Sequence, residues 1–466
     1  MPFIHKAIVL MAIPWLSLAT AHAAENTIDA GTAAGQHALI ANPGSADPAS
    51  AATGQAQDSR WLTSAGIGLF IPYGIASAGG VELSWAMVKD ANFNPKNRGV
   101  ITPNAYYALA PQMTAADYQP ERWLKAAKDA GFGYAVLTTK HHDGYTLWPS
   151  AYGDMGVQKF LPGRDLVKEF VAACRTVGLR VGLYYSPPDW YFERHTRSWR
   201  YKSDGSAAAP YLDMDHHPVP SIPPVDAKAR TDYINGQLRE LLTGYGPIDY
   251  LWFDGFCPGV MDQAAIRILQ PGMLMNERQH KVGDVITYPY EVKLPTSRPT
   301  GVWEHCFPLQ PCWGYAKNAE VKPLSTMTEI LARCRSWGGN VLANFGPQPD
   351  GEMPPEYYAF MKDMSDWMSW AAPAVTDVQP SVNPERCSLP TTIRGSTWYV
   401  FLPLPAKDSP TAAQEVTVTC DEPPRSVKRL RTGQEITVSF SEKIVRFSVG
   451  HDPQMKTTEI VEIRWN

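Results

Sequence analysis

From about residue 61 to residue 372 the chain alternates short, nearly continuous apolar runs with amphipathic stretches. The runs Ile67–Tyr73, Tyr134–Lys140, Arg180–Ser186, Asp249–Asp254, Met273–Arg278, Gly301–Cys306 and Asn340–Phe345 predict strands. Their lack of polar alternation is the mark of parallel strands covered on both faces. The stretches between them carry a helical period. Glu121–Ala130 sets Trp123, Leu124 and Ala127 on one face, with Gly131 as a stop. Asp165–Val177 spaces Leu166, Phe170 and Cys174, and Val167 and Val171, at helical intervals before Gly178. Thr231–Tyr245 and Thr326–Trp337 behave alike. Strand followed by helix, repeated, predicts an α/β fold of (β/α)8 type, TIM-like, over residues 58–372. A doubly wound sheet is the main alternative, and the absence of G-x-G-x-x-G after the first strand disfavours it. No helical pattern separates Met273–Arg278 from Gly301–Cys306, so an irregular barrel is expected there.

Beyond residue 373 the period changes to two. Thr397–Pro403, Glu415–Thr419, Ser426–Leu430, Glu435–Phe440, Ile444–Val449 and Glu459–Trp465 predict a C-terminal antiparallel β-sandwich over 373–466. At the other end, Lys6, the apolar Ala7–Leu18 and the small-residue site Ala21-His22-Ala23 read as a signal peptide over 1–23. A membrane anchor is the alternative, but the apolar run is too short to span a bilayer. The expected product is a secreted or periplasmic bacterial protein with no membrane attachment after cleavage. Residues 24–57 are small and polar and read as a flexible linker.

Composition narrows the function. The 42 Lys and Arg against 46 Asp and Glu leave a net charge of −4, which is not the basic footprint of a nucleic-acid binder. The 15 Trp, 21 Tyr and 15 Phe suit a pocket for a neutral small molecule or sugar. Seven Cys leave at least one free thiol unless chains are cross-linked, and no C-x-x-C pair suggests a zinc or redox motif.

In a barrel the chemistry comes from the C-terminal strand ends. The expected ends are Lys140-His141-His142-Asp143-Gly144, Tyr184-Tyr185-Ser186, Trp252-Phe253-Asp254-Gly255, Asn276-Glu277-Arg278 and Trp303-Glu304-His305. Asp254 and Glu304 each follow an apolar aromatic run directly. Two carboxylates across an aromatic pocket are the equipment of a retaining glycosidase. His141 and His142 could instead ligate zinc, but adjacent residues on a strand point to opposite sides, so hydrogen bonding to a sugar is preferred. No metal or other cofactor is expected. His216, His217, Asp213 and Asp215 read as a solvated loop.

At these residues the chain resembles the α-L-fucosidases of glycoside hydrolase family 29. The resemblance runs through Val136–Tyr145 with Leu147-Trp148, Ser150 and Tyr152. It continues through Arg164–Val167 with Glu169, Gly182–Ser186 with Asp189-Trp190, and Leu251–Gly255. Asn276–Arg278, Trp303–Cys306 with Trp313–Tyr315, and Leu342–Pro347 with Asp350-Gly351 complete it. It implies a retaining exo-glycosidase acting on a glycan or glycoside, with Asp254 as nucleophile and Glu304 as acid/base. Glu291 and Glu277 are the other candidates for the acid/base. His141, His142, Tyr73, Trp85, Tyr185, Trp252, Arg278 and Trp313 are the implied substrate-binding residues. Two positions depart from the family. Pro72-Tyr73-Gly74 stands where its first strand ends in His-Trp-Gly, and Ser84-Trp85 stands where it has Glu-Trp. The missing His and Glu are sugar-reading groups, so an altered glycone, whether a 6-deoxy-L-sugar other than fucose, L-galactose or a modified fucose, is the alternative. A carbohydrate-binding protein without turnover and a metal-dependent hydrolase are the remaining readings.

Overall fold

The computed structural model describes residues 58–91, 101–287, 289–381, 386–405 and 412–466. The expected leader and linker lie outside the described residues. Seven parallel strands form one curled sheet: β1 (Ile67–Ile71), β2 (Tyr134–Lys140), β3 (Arg180–Tyr185), β4 (Tyr250–Phe253), β5 (Leu274–Met275), β6 (Glu304–Pro308) and β7 (Asn340–Asn344). Their spatial order is β5-β4-β3-β2-β1-β7-β6. Val285 and Ile286 close the gap, bridging in parallel to Asn276 beyond β5 and to Trp303 before β6. This short extended pair takes the place of an eighth strand. Among the described residues no helix lies between β5 and β6, in agreement with the missing helical pattern.

The larger helices are α1 (Pro120–Asp129), α2 (Leu166–Val177), α3 (Ala227–Gly244), α4 (Gln263–Leu269), α5 (Leu324–Ser336) and α6 (Pro355–Val375). Local chemistry sets their ends. Asp165 caps α2 by accepting from the Lys168 N–H at 2.9 Å, and Gly178 leaves it in a left-handed turn at φ 75°. Trp123, Leu124 and Ala127 form the buried face of α1, as their spacing predicts.

Strand alternation separates two layers of core. Phe70, Tyr134, Val136, Tyr184, Tyr250, Trp252, Cys306 and Leu342 pack together inside the barrel. Leu69, Ala135, Leu137, Leu183, Tyr185, Leu251 and Phe253 face outward into the core shared with the helices. Gly68 must be glycine here: a Cβ would sit 2.3 Å from the ring of Tyr134, its partner on β2.

β6 begins three residues later than its apolar pattern suggests. Glu304 pairs with Asn340, the first residue of β7, so it lies at the entry of the strand and not at its exit. Trp303 sits below it, its ring over Gly339, where a Cβ would come within 2.3 Å.

The C-terminal part contains β8 (Gln379–Pro380), β9 (Thr391–Arg394), β10 (Thr397–Leu402), β11 (Gln414–Thr419), β12 (Ser426–Arg429), β13 (Ser439–Ser441), β14 (Ile444–Val449) and β15 (Glu459–Arg464). They form antiparallel sheets of order β8-β9-β10-β15-β12 and β11-β14-β13. In β14, Val445, Phe447 and Val449 are buried between exposed neighbours, the alternation of a sheet with one face on a core. Tyr399, Phe401 and Ile460 turn the other way and join the barrel's core. The Trp367 indole of α6 donates to the Thr458 carbonyl at 3.1 Å across the same seam. All seven cysteines are buried free thiols.

Candidate active site

Asp254 follows β4 at the mouth of the barrel. The polypeptide is pinned there by Asn276, whose amide donates to the Phe253 carbonyl at 2.8 Å and accepts from the Phe253 N–H at 2.9 Å. Asp254 Oδ1 accepts from Arg278 Nη1 at 3.0 Å, and Oδ2 accepts from the Tyr184 hydroxyl at 2.7 Å. Burial alone would push this carboxyl up. Arg278, the His142 and His141 rings and the Tyr184 hydroxyl outweigh it and hold Asp254 well below the usual carboxylate range. Its side chain keeps 17% exposure, enough for a ligand to reach it.

Arg278 is the organiser. Its ring-facing side lies 4.4 Å over Trp252, Nε donates to Thr287 Oγ1 at 2.9 Å, and Nη2 donates to Glu291 at 2.7 Å. One guanidinium therefore binds two carboxylates at once. Glu277 does not face this cavity: it accepts from the Thr287 N–H at 3.0 Å and so orders the segment leading to Glu291. Glu291 bridges in parallel to Cys306, and the next residue, Val292, donates its N–H to the Cys306 carbonyl at 2.9 Å. Val292 holds φ 61°, a left-handed conformation that is unusual for a β-branched residue. Backbone strain of this sort marks a segment held in place by its surroundings.

His141 and His142 do not point to opposite sides. β2 ends at Lys140, and the two histidines lie in the turn that follows, with ring centroids 4.3 Å apart. His142 Nε2 lies 3.6 Å from Asp254 Oδ2, and its ring stacks on Trp190 at 4.9 Å. Trp85 meets both His142 and Trp190 edge-on. The turn rests on a fully buried ion pair of Lys140 with Asp189 at 2.9 Å. Asp143, beneath it, accepts from Tyr106 at 2.6 Å; burial pushes it up to about 6. One nitrogen of each histidine and an Asp254 oxygen lie within 4.8 Å of one another, a spacing that a cation could use. Arg278 already sets a positive charge on that carboxylate, which opposes a second one.

A cavity opens at this mouth. Asp254, Glu291, His141, Thr138 and Asn344 supply its polar groups, and Phe70, Pro72, Leu83, Trp85, Trp252 and Trp313 its apolar walls, with Tyr184 and Cys306. Thus Asp254, His141, Trp85, Trp252 and Trp313 line it as expected, and Arg278 and His142 adjoin Asp254.

Three sequence-derived placements need correction. Glu304 lies at the base of the barrel, fully buried and away from the cavity. It accepts from the Tyr134 hydroxyl, from Trp252 Nε1 at 3.1 Å and from Tyr250 at 3.4 Å. Burial pushes its carboxyl up to about 7 against these donors. Glu291 is the second carboxylate of the cavity instead. Tyr185 faces outward, its hydroxyl on Gln237 at 2.9 Å and its ring 4.6 Å from Lys140 Nζ; Tyr184 is the residue that faces in. Tyr73 likewise turns outward, stacking on Tyr118 and donating to the Pro349 carbonyl at 3.1 Å, while Pro72 lines the cavity. Inward parity would have found Tyr184 and Asn344, since Tyr184 pairs with Trp252 and Asn344 with Phe70. Ser84 is buried against His141 Nδ1 at 2.5 Å.

Comparison with known proteins agrees with the motifs. Residues 35–372 match the family model described as alpha-L-fucosidase. The bovine tissue alpha-L-fucosidase is 29% identical over 374 residues, covering 73% of this chain and 74% of that one. Alpha-L-fucosidase isoenzyme 1 from Paenibacillus thiaminolyticus superposes with a TM-score of 0.69 at 25% identity, over 88% of this chain and 98% of that one. A Bacteroides thetaiotaomicron alpha-L-fucosidase, crystallised as a trapped covalent intermediate with 2-fluoro-fucosyl fluoride, superposes at 0.67 with 22% identity over 88% and 98% of the two chains.

Proposed function

The chain belongs to the α-L-fucosidase family, glycoside hydrolase family 29, and from that premise we propose that it is a retaining, exo-acting glycosidase releasing terminal α-L-fucose or a closely related L-sugar. Asp254 attacks the anomeric carbon and forms a glycosyl ester. Glu291 protonates the leaving oxygen and then deprotonates the water that cleaves the ester. The observation that carries this reading is Arg278, bonded at once to Asp254 and Glu291. It keeps the nucleophile ionised before attack. Once Asp254 is esterified its charge is gone, and Arg278 then pairs with Glu291 alone. The aromatic walls offer ring faces to the apolar side of a sugar.

Trapping with a 2-fluoro-L-fucosyl fluoride, followed by peptide mass spectrometry, tests the nucleophile. The label is expected on Asp254; a label on any other residue overturns the assignment.

One feature favours a modified glycone as a second reading. The Pro72 side chain has no hydrogen-bonding group to offer the cavity, and the Ser84 hydroxyl is already used by His141 and the Asp143 N–H. A screen of terminal L-sugars, with product stereochemistry followed by NMR, decides it. Turnover of nitrophenyl α-L-fucoside far above all other sugars would reject the second reading. We also propose export to the periplasm or beyond, on the strength of Lys6 and Ala21-His22-Ala23. N-terminal sequencing of the mature protein should begin at Ala24.

A further inference from the structure

His141 in the cavity wall and His142 beside it and Asp254 each contact a buried serine through Nδ1, but the serines have opposite obligations. Ser84 is fully buried and accepts the Asp143 N–H at 2.8 Å. Its hydroxyl proton needs an acceptor, and His141 Nδ1 at 2.5 Å is the one present. His141 therefore carries its own proton on Nε2. Ser186 is also fully buried, but its hydroxyl donates to the Pro188 carbonyl at 3.0 Å, a group that can only accept. Ser186 must then accept from His142 Nδ1 at 2.5 Å, which leaves a lone pair on His142 Nε2. At 3.6 Å from Asp254 Oδ2, His142 Nε2 is too far to donate a hydrogen bond to it, so that position is not required to carry a proton. Burial depresses both histidines, so neither is cationic at neutral pH.

We infer that Ser84 and Ser186 are positioning residues that hold the neighbouring His141 and His142 in opposite tautomers, giving the site one hydrogen-bond donor and one acceptor beside Asp254. Such a pair reads two neighbouring hydroxyls of a pyranose, one accepting and one donating. The substrate part of this statement rests on the glycosidase reading; the proton positions do not.

The test is long-range proton–nitrogen NMR on protein carrying nitrogen-15 histidine, with the two rings assigned by H141N and H142N. Wild type should show His141 protonated at Nε2 and His142 at Nδ1. S84A should give His141 a mixture of tautomers and raise KM for an aryl α-L-fucoside roughly tenfold, with kcat within about twofold, because one oriented donor is lost. S84T, which keeps the hydroxyl, should restore both. Finding His141 protonated at Nδ1 in wild type overturns the inference without any variant. So does an S84A protein whose KM and His141 tautomer are unchanged. If no L-sugar is turned over, the glycosidase reading fails, while the NMR result still decides the tautomers.

Discussion

Asp254 and Glu304 both point into the same barrel, yet they stand at opposite ends of it and behave as opposites. At the mouth, Asp254 meets a guanidinium, a tyrosine hydroxyl and an edge of exposure, and stays ionised. At the base, Glu304 meets two phenols and an indole, all uncharged, and burial pushes it up to about 7. Both follow aromatic runs, and both share the inward parity of Trp252 and Cys306. Parity selects the barrel interior; height along the strand selects whether the group meets a substrate or plugs the floor. Glu291, from a segment with no strand of its own, reaches the mouth because Arg278 and the bridge to Cys306 hold it there.

Substitutions can break this contrast. D254G should lower kcat on an aryl α-L-fucoside by roughly 10⁴ or more, as loss of a nucleophile does. A residual rate within tenfold of wild type would place the chemistry elsewhere. E291A should cost roughly 10² to 10⁴ with a poor leaving group and much less with a good one. Azide should restore turnover and give a glycosyl azide of retained configuration. If E304A shows that rescue and E291A does not, the two carboxylates have been exchanged.

A finer test uses neighbouring tyrosines of β3. Y184F removes a hydrogen bond to a charged group, about 1.5–3 kcal/mol, and should lower kcat roughly 10- to 100-fold. Y185F, whose hydroxyl faces Gln237, should stay within about threefold. E304Q should disturb activity as little as Y185F, keeping the rate within about threefold. Its signature is stability against pH. Glu304 is raised above its ordinary 4.5 to about 7, so the native state holds a proton that the unfolded chain releases. The stability linked to this proton is present below about pH 4.5 and is lost as pH rises through about 7. E304Q should remove that slope, worth at most about 3 kcal/mol, and gain on wild type at pH 8 in denaturant titrations. A wild-type stability that is flat from pH 5 to 8, and unchanged by E304Q, would refute the raised carboxyl.

Much of this architecture is legible in residue order. β2 spans Tyr134–Lys140 as its apolar run predicts, and α2 starts and stops where Asp165 and Gly178 say it should. Asp254 and Arg278 are marked by their positions after apolar strands. Glu304 misleads because the apolar run Gly301–Trp303 precedes the strand: Trp303 packs over Gly339 and bridges only to Ile286, and pairing with Asn340 starts β6 at Glu304. Tyr185 shows the cost of one residue, since a shift of one along a strand exchanges the two faces. His141 and His142 share a side because the strand stops just before them, a boundary that a polar pair cannot announce.

Residue order carries the alternation of buried strands and amphipathic helices, the change to period two at the C-terminal sandwich, and the motifs that identify the family. These are properties of near neighbours along the chain, where periodicity and capping act. Tertiary structure alone decided which carboxylate joins Asp254. That choice depends on pairing register, on a backbone bridge between Glu291 and Cys306, and on a single guanidinium that binds carboxylates from two separate segments. Contacts between segments distant along the chain leave no period in the sequence, because they are set by where the closed barrel brings them.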